Sequence, residues 1–209
     1  MKRAFDLAAA FAGLVMTSPI LIGAAIAVKL DSPGPAFYSG TRVGRDGATF
    51  RIHKLRTMTA GADRSGPAVT AGGDPRVTRI GRLLRRSKAD ELPQLVNVLK
   101  GEMSLVGPRP EHPDYVKHYS AEQRRLLAVR PGMTGPAALA FIDEEEQLRG
   151  GQLETRYLNE LMPRKLELEL KYLESASFGR DFGILIQTAV LMVKRPFLFP
   201  RRGAAERSR

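Results

Sequence analysis

The sequence predicts an α+β protein that is mainly helical, with an apolar helix at its N-terminus, a small β-hairpin and amphipathic helices on its surface. Three patterns support this prediction: an uncharged apolar run over residues 7–28, two strand-like runs joined by an Asp-Gly turn, and apolar residues at helical spacing further along. The chain has 209 residues, 43% hydrophobic and 26% charged, which fits one folded core with an appendage. This composition excludes a disordered or fibrous chain.

The apolar run contains 22 residues without a charged side chain. As a helix it would extend roughly 33 Å, enough to cross a bilayer core of about 30 Å, so a straight membrane span is one interpretation. A cationic start and the triplet Ala25-Ile26-Ala27 also fit a cleaved signal peptide. The third interpretation is a re-entrant helix that bends at Ser18-Pro19 and leaves the membrane by the face it entered.

The pair Ser18-Pro19 lies near the middle of the run. Proline lacks a backbone donor, so the Val15 carbonyl loses its partner, and the Ser18 hydroxyl is close enough in sequence to replace it. Cationic residues flank both ends of the run, and a re-entrant helix keeps both flanks on the cytoplasmic side, as the positive-inside tendency favours. Spacing alone does not decide between a re-entrant and a spanning helix.

The charge distribution indicates an anionic partner. Residues 42–86 carry eleven cationic side chains against three acidic ones, which accounts for +8 of the net charge of +11. The candidates are a nucleic acid, a phosphate-rich small molecule and an anionic membrane surface. The absence of cysteine excludes a disulfide framework and a thiol nucleophile, and three histidines make a multi-histidine zinc centre a poor fit.

Residues 37–38 and 49–58 are typical of strands, and the Asp46-Gly47 pair between them is a hairpin signal. The alternation in KLRTM puts Lys54 and Arg56 on one face of the extended segment. Two cations on one face suit a diphosphate, but they also suit a charged strand edge exposed to solvent. Residues 60–75, rich in Gly, Ala, Ser and Pro, predict either a linker or an active-site cover.

A basic helix with Ile80, Leu83 and Leu84 as its apolar stripe is expected next, followed by a helix over residues 92–99 that Gly101 ends. Asp90 and Glu91 then lie at a helix N-terminus. Carboxylates at that position have two explanations. The helix dipole stabilises them there, or they belong to a site in which Mg²⁺ bridges carboxylates and phosphate.

Three features complete the pattern. Pro108 and Pro110 restrict the backbone around Arg109, whose guanidinium is suited to planar phosphate contacts. Ser120 and Gln123 form a capping box for a helix through Leu127. Residues 158–173 and 178–199 predict amphipathic helices, the second lying on the membrane surface or packed on the core.

The chain carries a characteristic series of motifs in this order: the Ser-Pro apolar helix, SPGP, RVGRDG, KLRTM, ADELPQLVNVLKGEMSLVGPRP and RPGMTG. This series resembles the bacterial sugar transferases that are monotopic phosphoglycosyl transferases. The resemblance covers roughly residues 1–200. It implies an enzyme of the bacterial inner membrane that works at the cytoplasmic face and transfers a phosphosugar from a UDP-sugar to undecaprenyl phosphate, releasing UMP.

The resemblance also implies the site and its architecture. Asp90 is the expected nucleophile that forms a covalent aspartyl phosphosugar, Glu91 is its partner, and Mg²⁺ is held near the dyad by Asp90. The expected substrate-binding residues are Lys54, Arg56, Arg85, Pro108, Arg109 and Arg130. The implied layout is a re-entrant helix over residues 1–30 broken at Ser18-Pro19, a catalytic domain over residues 31–200 and a basic tail over residues 201–209.

Two further hypotheses stay open. A membrane-tethered nucleic-acid-binding protein is suggested by the basic segment, although that segment contains a single aromatic residue, Phe50, and the resemblance leads us to expect no nucleic acid as a partner. A secreted basic protein would follow from cleavage after Ala27. The identity of the sugar and the oligomeric state do not follow from the sequence, although residues 60–75 or 137–151 are expected to contribute to sugar specificity.

Overall fold

The computed structural model of this protein describes residues 1–148, 150 and 152–198. Over these residues the fold is mainly helical, with two small two-stranded sheets. The elements are α1 (Lys2–Asp31), β1 (Phe37–Val43), β2 (Thr49–Leu55), α2 (Arg79–Ser87), α3 (Gln94–Lys100), β3 (Ser104–Val106), α4 (Pro113–Val116), β4 (Gly132–Thr134), α5 (Pro136–Ala140), α6 (Glu144–Gln147), α7 (Leu153–Arg156), α8 (Met162–Glu174) and α9 (Phe178–Leu198). The predicted basic tail, residues 201–209, lies outside the described residues.

The predicted hairpin is confirmed. β1 and β2 pair antiparallel, with Phe37 opposite Leu55 and Val43 opposite Thr49. Asp46 adopts a left-handed conformation (φ 57°) in the turn, which the short polar side chain tolerates. The second strand ends at Leu55, before the predicted limit at residue 58.

The predicted helices around the dyad are also confirmed. The Thr78 hydroxyl accepts a hydrogen bond from the Gly81 N–H at 3.0 Å and so caps α2. α3 ends at Gly101, whose φ of 86° is the left-handed conformation that glycine adopts readily. The capping box of Ser120 and Gln123 forms with both reciprocal hydrogen bonds, but the turn it starts, Gln123–Ala128, is 3-10 rather than α-helical.

Three clusters of buried apolar side chains make up the core of the described residues. One surrounds Tyr115, Tyr157 and Leu166, and the other two lie along α1. The N-terminal half of α1 contributes Ala10 to a cluster with residues of α3 and β3, and the C-terminal half contributes Val28 to a cluster with residues of β2 and α2. Both halves of α1 therefore pack on the same domain.

The Ser18-Pro19 pair does not interrupt the helical structure of α1. Residues 2–31 form one continuous helix that contains Pro19. Proline removes a single hydrogen bond, and the Ser18 hydroxyl donates to the Val15 carbonyl at 2.8 Å, as the sequence predicted. Because this carbonyl is satisfied, the helix continues through the pair.

By length and composition α1 could cross a membrane: its most apolar window has a mean hydropathy of 2.1, and only 6% of that window is buried in the protein. Large apolar side chains on it, among them Phe11, Met16 and Ile22, are more than half exposed. This exposure distinguishes α1 from the buried core helix of a water-soluble domain.

Polar contacts hold both ends of α1 to the domain. At the N-terminal end the Lys2 ammonium donates to the Val106 carbonyl at 3.0 Å and pairs with Asp181. At the C-terminal end the Asp31 carboxylate accepts a hydrogen bond from the Ile80 N–H at 3.0 Å. The two ends of a 30-residue helix are thus attached to one folded unit.

Candidate active site

The acidic dyad lies in a short 3-10 turn, Ala89–Glu91, between α2 and α3. Lys88 precedes the turn in a left-handed conformation (φ 55°), which ends α2 and redirects the chain. The sequence predicted the dyad at the N-terminus of the following helix, but it lies in this separate turn, and α3 begins three residues after Glu91. The turn places two adjacent carboxylates in different surroundings.

Glu91 is held by two cations from distant parts of the chain. The Lys54 ammonium at the end of β2 lies 2.8 Å from Oε1, and the Arg109 guanidinium contacts Oε1 at 2.6 Å and Oε2 at 3.3 Å. Burial alone would raise the pKa of Glu91, but Arg109 and Lys54 outweigh it and hold that pKa well below the ordinary value. Glu91 is therefore an ionised carboxylate whose two oxygens are both engaged.

Asp90 is buried, with 6% of its surface exposed, and its Oδ1 atom has no hydrogen-bond partner. Burial, together with the neighbouring charge of Glu91, raises the pKa of Asp90 to about 6. Lys54, Lys88 and Arg85 act in the opposite direction. At neutral pH the carboxylate is mostly ionised, and one of its oxygens remains free for chemistry.

Arg85 extends from the last turn of α2 toward the dyad. Its Nε donates to the Thr57 hydroxyl at 2.8 Å, and its Nη1 pairs with Glu145 of α6 at 2.7 Å. The Gly72 N–H donates to the Glu145 carbonyl at 2.5 Å. The loop over residues 60–75 and the acidic helix α6, far apart in sequence, therefore meet beside Arg85.

The loop Pro108-Arg109-Pro110 is held against β4. The Gly107 N–H donates to the Thr134 carbonyl at 3.0 Å, and the Pro108 carbonyl accepts from the Gly132 N–H at 2.8 Å. These bonds and the two proline rings restrict the backbone of Arg109 on both sides. The guanidinium is thereby presented to Glu91.

A magnesium ion fits this site only in company with a phosphate substrate. Over residues 1–148, 150 and 152–198, no group of three or more His, Cys, Asp or Glu side chains could hold a metal ion without other ligands. The Asp90 carboxylate is a suitable single protein ligand, since Mg²⁺ is commonly bound by one or two carboxylates plus substrate phosphates.

Comparison with known proteins shows the family of this chain. The family model described as bacterial sugar transferase matches residues 1–195. The chain belongs to the bacterial sugar transferase family. It is therefore a transferase, and the resemblance noted from its motifs is confirmed.

Two relatives carry the same printed name, UDP-glucose:undecaprenyl-phosphate glucose-1-phosphate transferase. The protein from Caulobacter vibrioides is 44% identical over 190 residues, which cover 90% of this chain and 67% of the relative. The protein from Escherichia coli is 38% identical over 195 residues, which cover 90% of this chain and 39% of the relative. The chain thus spans between two fifths and two thirds of these proteins.

A third relative, the exopolysaccharide production protein PSS of Rhizobium leguminosarum, is similar to this sugar transferase over nearly its whole length. It is 38% identical over 206 residues, which cover 93% of this chain and 96% of the relative.

The structure corrects the assignment of Arg56 to phosphate binding. This side chain is only 5% exposed. Its five N–H groups are engaged by the oxygens of Pro35, Ser32, Met58 and Val28, at 2.6 to 3.5 Å. Arg56 therefore fixes the C-terminal end of α1 to the end of β2. Because β2 ends at Leu55, Arg56 does not share with Lys54 the strand face that the sequence had predicted.

Arg130 likewise has a partner within the protein. Its Nε donates to the Gly101 carbonyl at 2.8 Å, just beyond the C-terminal end of α3. The dyad lies before the opposite end of that helix. This contact stabilises the end of α3 and gives Arg130 a structural task remote from Asp90.

Sequence reasoning missed Asn97, which aligns the parts of this sugar transferase site. Asn97 is fully buried on α3, accepts from the His53 N–H at 3.0 Å, and donates to the Arg51 carbonyl at 2.7 Å. It therefore joins the helix that follows the dyad to the strand that carries Lys54. A polar residue in an otherwise apolar helix stripe was the signal for it.

A buried network behind Arg109 was also missed. Lys165 of α8 lies 3.4 Å from Glu111, 3.1 Å from Glu144 and 3.1 Å from the Tyr157 hydroxyl, which donates to Glu111 at 2.6 Å. This network attaches the residue after Pro110 and the start of α6 to α8. Most of these contacts join residues more than twenty positions apart along the chain, so no sequence pattern predicts the network.

The state of Asp90 predicts a stability gain in the Asp90→Asn variant. The folded protein binds the proton of Asp90 more tightly than the unfolded chain, so ionisation of this carboxyl destabilises the fold as pH rises from about 4 to about 6. Asn removes that cost. We expect a gain on the order of 2 kcal/mol above pH 6 that vanishes near pH 4, measured as the pH dependence of Tm in detergent with EDTA.

Glu91→Gln is the matched control, and it should lower Tm at neutral pH because it leaves Lys54 and Arg109 without their partner. An Asp90→Asn gain of equal size at pH 4 and pH 8 would contradict the environment described for Asp90.

The position of Arg56 predicts a structural rather than a substrate-binding phenotype for Arg56→Lys. Lysine cannot reproduce the five hydrogen bonds, so the variant should lose about 2–4 kcal/mol of unfolding free energy and keep its KM in the transferase reaction. Denaturant unfolding and steady-state kinetics measure the two effects. Arg86→Lys, at an exposed position of α2, is the control. A higher KM with an unchanged unfolding free energy would return Arg56 to phosphate binding.

Proposed function

We propose that this transferase moves a phosphosugar from a UDP-sugar to undecaprenyl phosphate, with release of UMP, through a covalent aspartyl phosphosugar at Asp90. The names of the relatives from Caulobacter vibrioides and Escherichia coli support the substrate classes. The observation that carries the mechanism is the buried, unpartnered carboxylate oxygen of Asp90, which lies beside the cation-paired Glu91.

In the first step an oxygen of the ionised Asp90 carboxylate attacks the phosphorus that bears the sugar. The bond between this phosphorus and the oxygen bridging to UMP breaks, and UMP leaves with the electron pair. A carboxylate can approach a diphosphate only where fixed cations offset the negative charge. Lys54, Arg85 and Arg109 are the side chains that supply this charge around the dyad.

In the second step a phosphate oxygen of undecaprenyl phosphate attacks the same phosphorus. The bond to Asp90 breaks, the carboxylate is regenerated, and the product is the sugar linked to the lipid through a diphosphate. Glu91 takes no part in bond formation in this scheme. Its task is to hold Lys54 and Arg109 in place. Its ion pairs with these two residues keep Glu91 ionised.

Mg²⁺, held by Asp90 and the substrate phosphates, would supply further neutralisation of the diphosphate. Arg85 and Arg109 would contact the phosphates and the nucleotide. Arg85 would first have to exchange its contact with Glu145 for the substrate.

We propose that α1 is re-entrant and that the enzyme is monotopic at the cytoplasmic face of the bacterial inner membrane. Straight, a 30-residue helix would extend roughly 45 Å and carry its two ends to opposite sides of a bilayer. The attachment of Lys2 and Asp31 to one domain supports a re-entrant helix over that arrangement. A bend near Ser18-Pro19, without loss of helical structure, would bring the apolar middle of α1 into one leaflet.

Membrane lipid would also contact α9. Phe178, Phe182, Ile186 and Val190 follow one another at four-residue spacing and are about half exposed. Phe178 packs edge-on against Phe5 of α1, with ring centroids 5.3 Å apart. The apolar surfaces of α1 and α9 are therefore continuous and would seat the dyad at the height of a lipid phosphate.

Sugar specificity would reside in residues 60–75 and in α6, which meet at Glu145 beside Arg85. Release of UMP from a panel of UDP-glucose, UDP-galactose and their N-acetylamino counterparts identifies the preferred sugar.

The covalent step predicts that the purified full chain becomes labelled by a UDP-sugar radiolabelled in the sugar when Mg²⁺ is present and the lipid acceptor is absent. Asp90→Asn should abolish the label, because the amide is not a nucleophile toward phosphorus. The measurement is radioactivity in the denatured protein band, together with UMP released. Asp46→Asn, an isosteric change in the exposed hairpin turn, is the matched control and should label normally. Equal labelling of Asp90→Asn and wild type would exclude Asp90 as the nucleophile.

The topology predicts that both ends of α1 are reached only from the cytoplasm. Because the chain has no cysteine, single cysteines can be introduced at Ala4, Met16 and Ala48 without a background. In intact cells a membrane-impermeant maleimide should label none of them. After the inner membrane is permeabilised, Ala4→Cys and Ala48→Cys should react, while Met16→Cys should remain protected in lipid. Labelling of Ala4→Cys in cells whose outer membrane alone is opened would overturn the re-entrant topology.

A further inference from the structure

Glu169 of α8 is a buried carboxylate that the reaction scheme does not use. The side chain is 3% exposed, and neither carboxylate oxygen has a partner at ordinary hydrogen-bond distance and angle. The nearest cation on its own helix, Lys165, is already paired with Glu111 and Glu144. A buried carboxylate without an ion pair is costly, so its position calls for a reason.

Glu169 lines one cavity together with Arg109 and Ala137, and the backbone N–H groups of these two residues lower its pKa. Neighbouring prolines, which lack an N–H group, leave few other backbone donors near either residue. Pro108 and Pro110 have no N–H, so Arg109 has the only backbone donor of its tripeptide, and Pro136 leaves Ala137 as the first donor of α5. Glu169 thus faces the backbone N–H of Arg109, and the guanidinium of the same residue binds Glu91.

The backbone around Glu169 is closely packed. A Cβ atom on Gly135 would lie 2.5 Å from the Gly107 carbonyl oxygen and 3.5 Å from the Glu169 Oε1. A Cβ atom on Gly132 would lie 2.1 Å from the Gly107 nitrogen. β4 therefore fixes one side of the Pro108-Arg109-Pro110 loop, and the Glu169 carboxylate lies on another side, so a change at Glu169 is transmitted to Arg109.

We propose that Glu169 is a positioning residue for Arg109: its ionised carboxylate holds the Arg109 N–H, and with it the angle at which the guanidinium meets Glu91 and the bound nucleotide. When Glu169 takes up a proton, the hold on this N–H weakens and nucleotide binding weakens with it. This inference rests on the proposed function, since it assigns to Arg109 a contact with the nucleotide substrate.

The electrostatic surroundings make this group responsive near neutral pH. Burial raises the pKa of Glu169 to about 7, although the N–H groups of Arg109 and Ala137 and the charges of Lys165 and Arg109 act against it. The other titratable groups that face it are Tyr119, which follows α4, and Tyr172, from α8. Burial raises the pKa of both tyrosines, so they stay neutral. Glu169 is therefore charged above about pH 7 and neutral below it.

The test compares wild type with Glu169→Gln, which mimics the protonated state, in UMP release from the preferred UDP-sugar between pH 5.5 and pH 8.5. The full chain is used in detergent with Mg²⁺ and lipid acceptor. At pH 8 we expect KM for the UDP-sugar to rise by about tenfold in Glu169→Gln with kcat within about twofold, as for loss of one charge-assisted contact that acts on binding. Toward pH 6 the two proteins should converge, because wild-type Glu169 is then neutral as well.

The controls separate this role from a purely structural one. Glu167→Gln, an exposed position on the same helix, should match wild type at every pH. Glu169→Asp should retain the pH dependence of KM that Glu169→Gln loses, and it serves in its place if the glutamine variant does not fold. A KM ratio that is constant from pH 6 to pH 8, or a loss of Tm with unchanged KM, would overturn the positioning role. Wild type that releases no UMP from any UDP-sugar would overturn the proposed function, and the positioning role with it.

Discussion

The pairing of Glu91 with Lys54 and Arg109 is the interaction on which the site depends, because it joins three segments that the chain brings together only on folding. β2 contributes the lysine, the turn before α3 the carboxylate, and the loop after β3 the arginine. Two adjacent buried carboxylates would repel each other if both lacked partners. With Glu91 neutralised by its cations, the protein can bury Asp90 beside it and leave one Asp90 oxygen free.

Several other cations of the basic segment also have partners within the protein. Arg56 holds the end of α1, Arg76 is paired with Asp74 at 2.7 Å, and Arg82 donates to the Val77 carbonyl. Charge that looks like one patch in the sequence is thus divided among separate structural contacts, and Lys54 and Arg85 remain beside the dyad.

The apolar helix α1 and the site are coupled through the core. α1 packs along α3, which directly follows the dyad, and along β2 and α2, which carry Lys54 and Arg85. Other apolar side chains of the same helix, such as Phe11 and Met16, remain exposed. Insertion of α1 into lipid, as proposed above, would therefore fix the height of the dyad relative to the membrane surface, with no need for a flexible connection between anchor and domain.

The sequence by itself determined the elements and the chemistry: the apolar helix, the Asp-Gly hairpin, the helix that Gly101 ends, and a carboxylate pair near cations all follow from local periodicity and turn residues. Even the bond from Ser18 to the Val15 carbonyl was predictable, because it spans one helical turn. Only the tertiary structure decided which cations serve the site. Arg56 and Lys54 lie two residues apart, yet one binds carbonyl groups at the end of α1 and the other binds Glu91, since the strand ends between them. Asn97, Lys165 and Glu169 act through partners far along the chain, and no local pattern encodes such contacts.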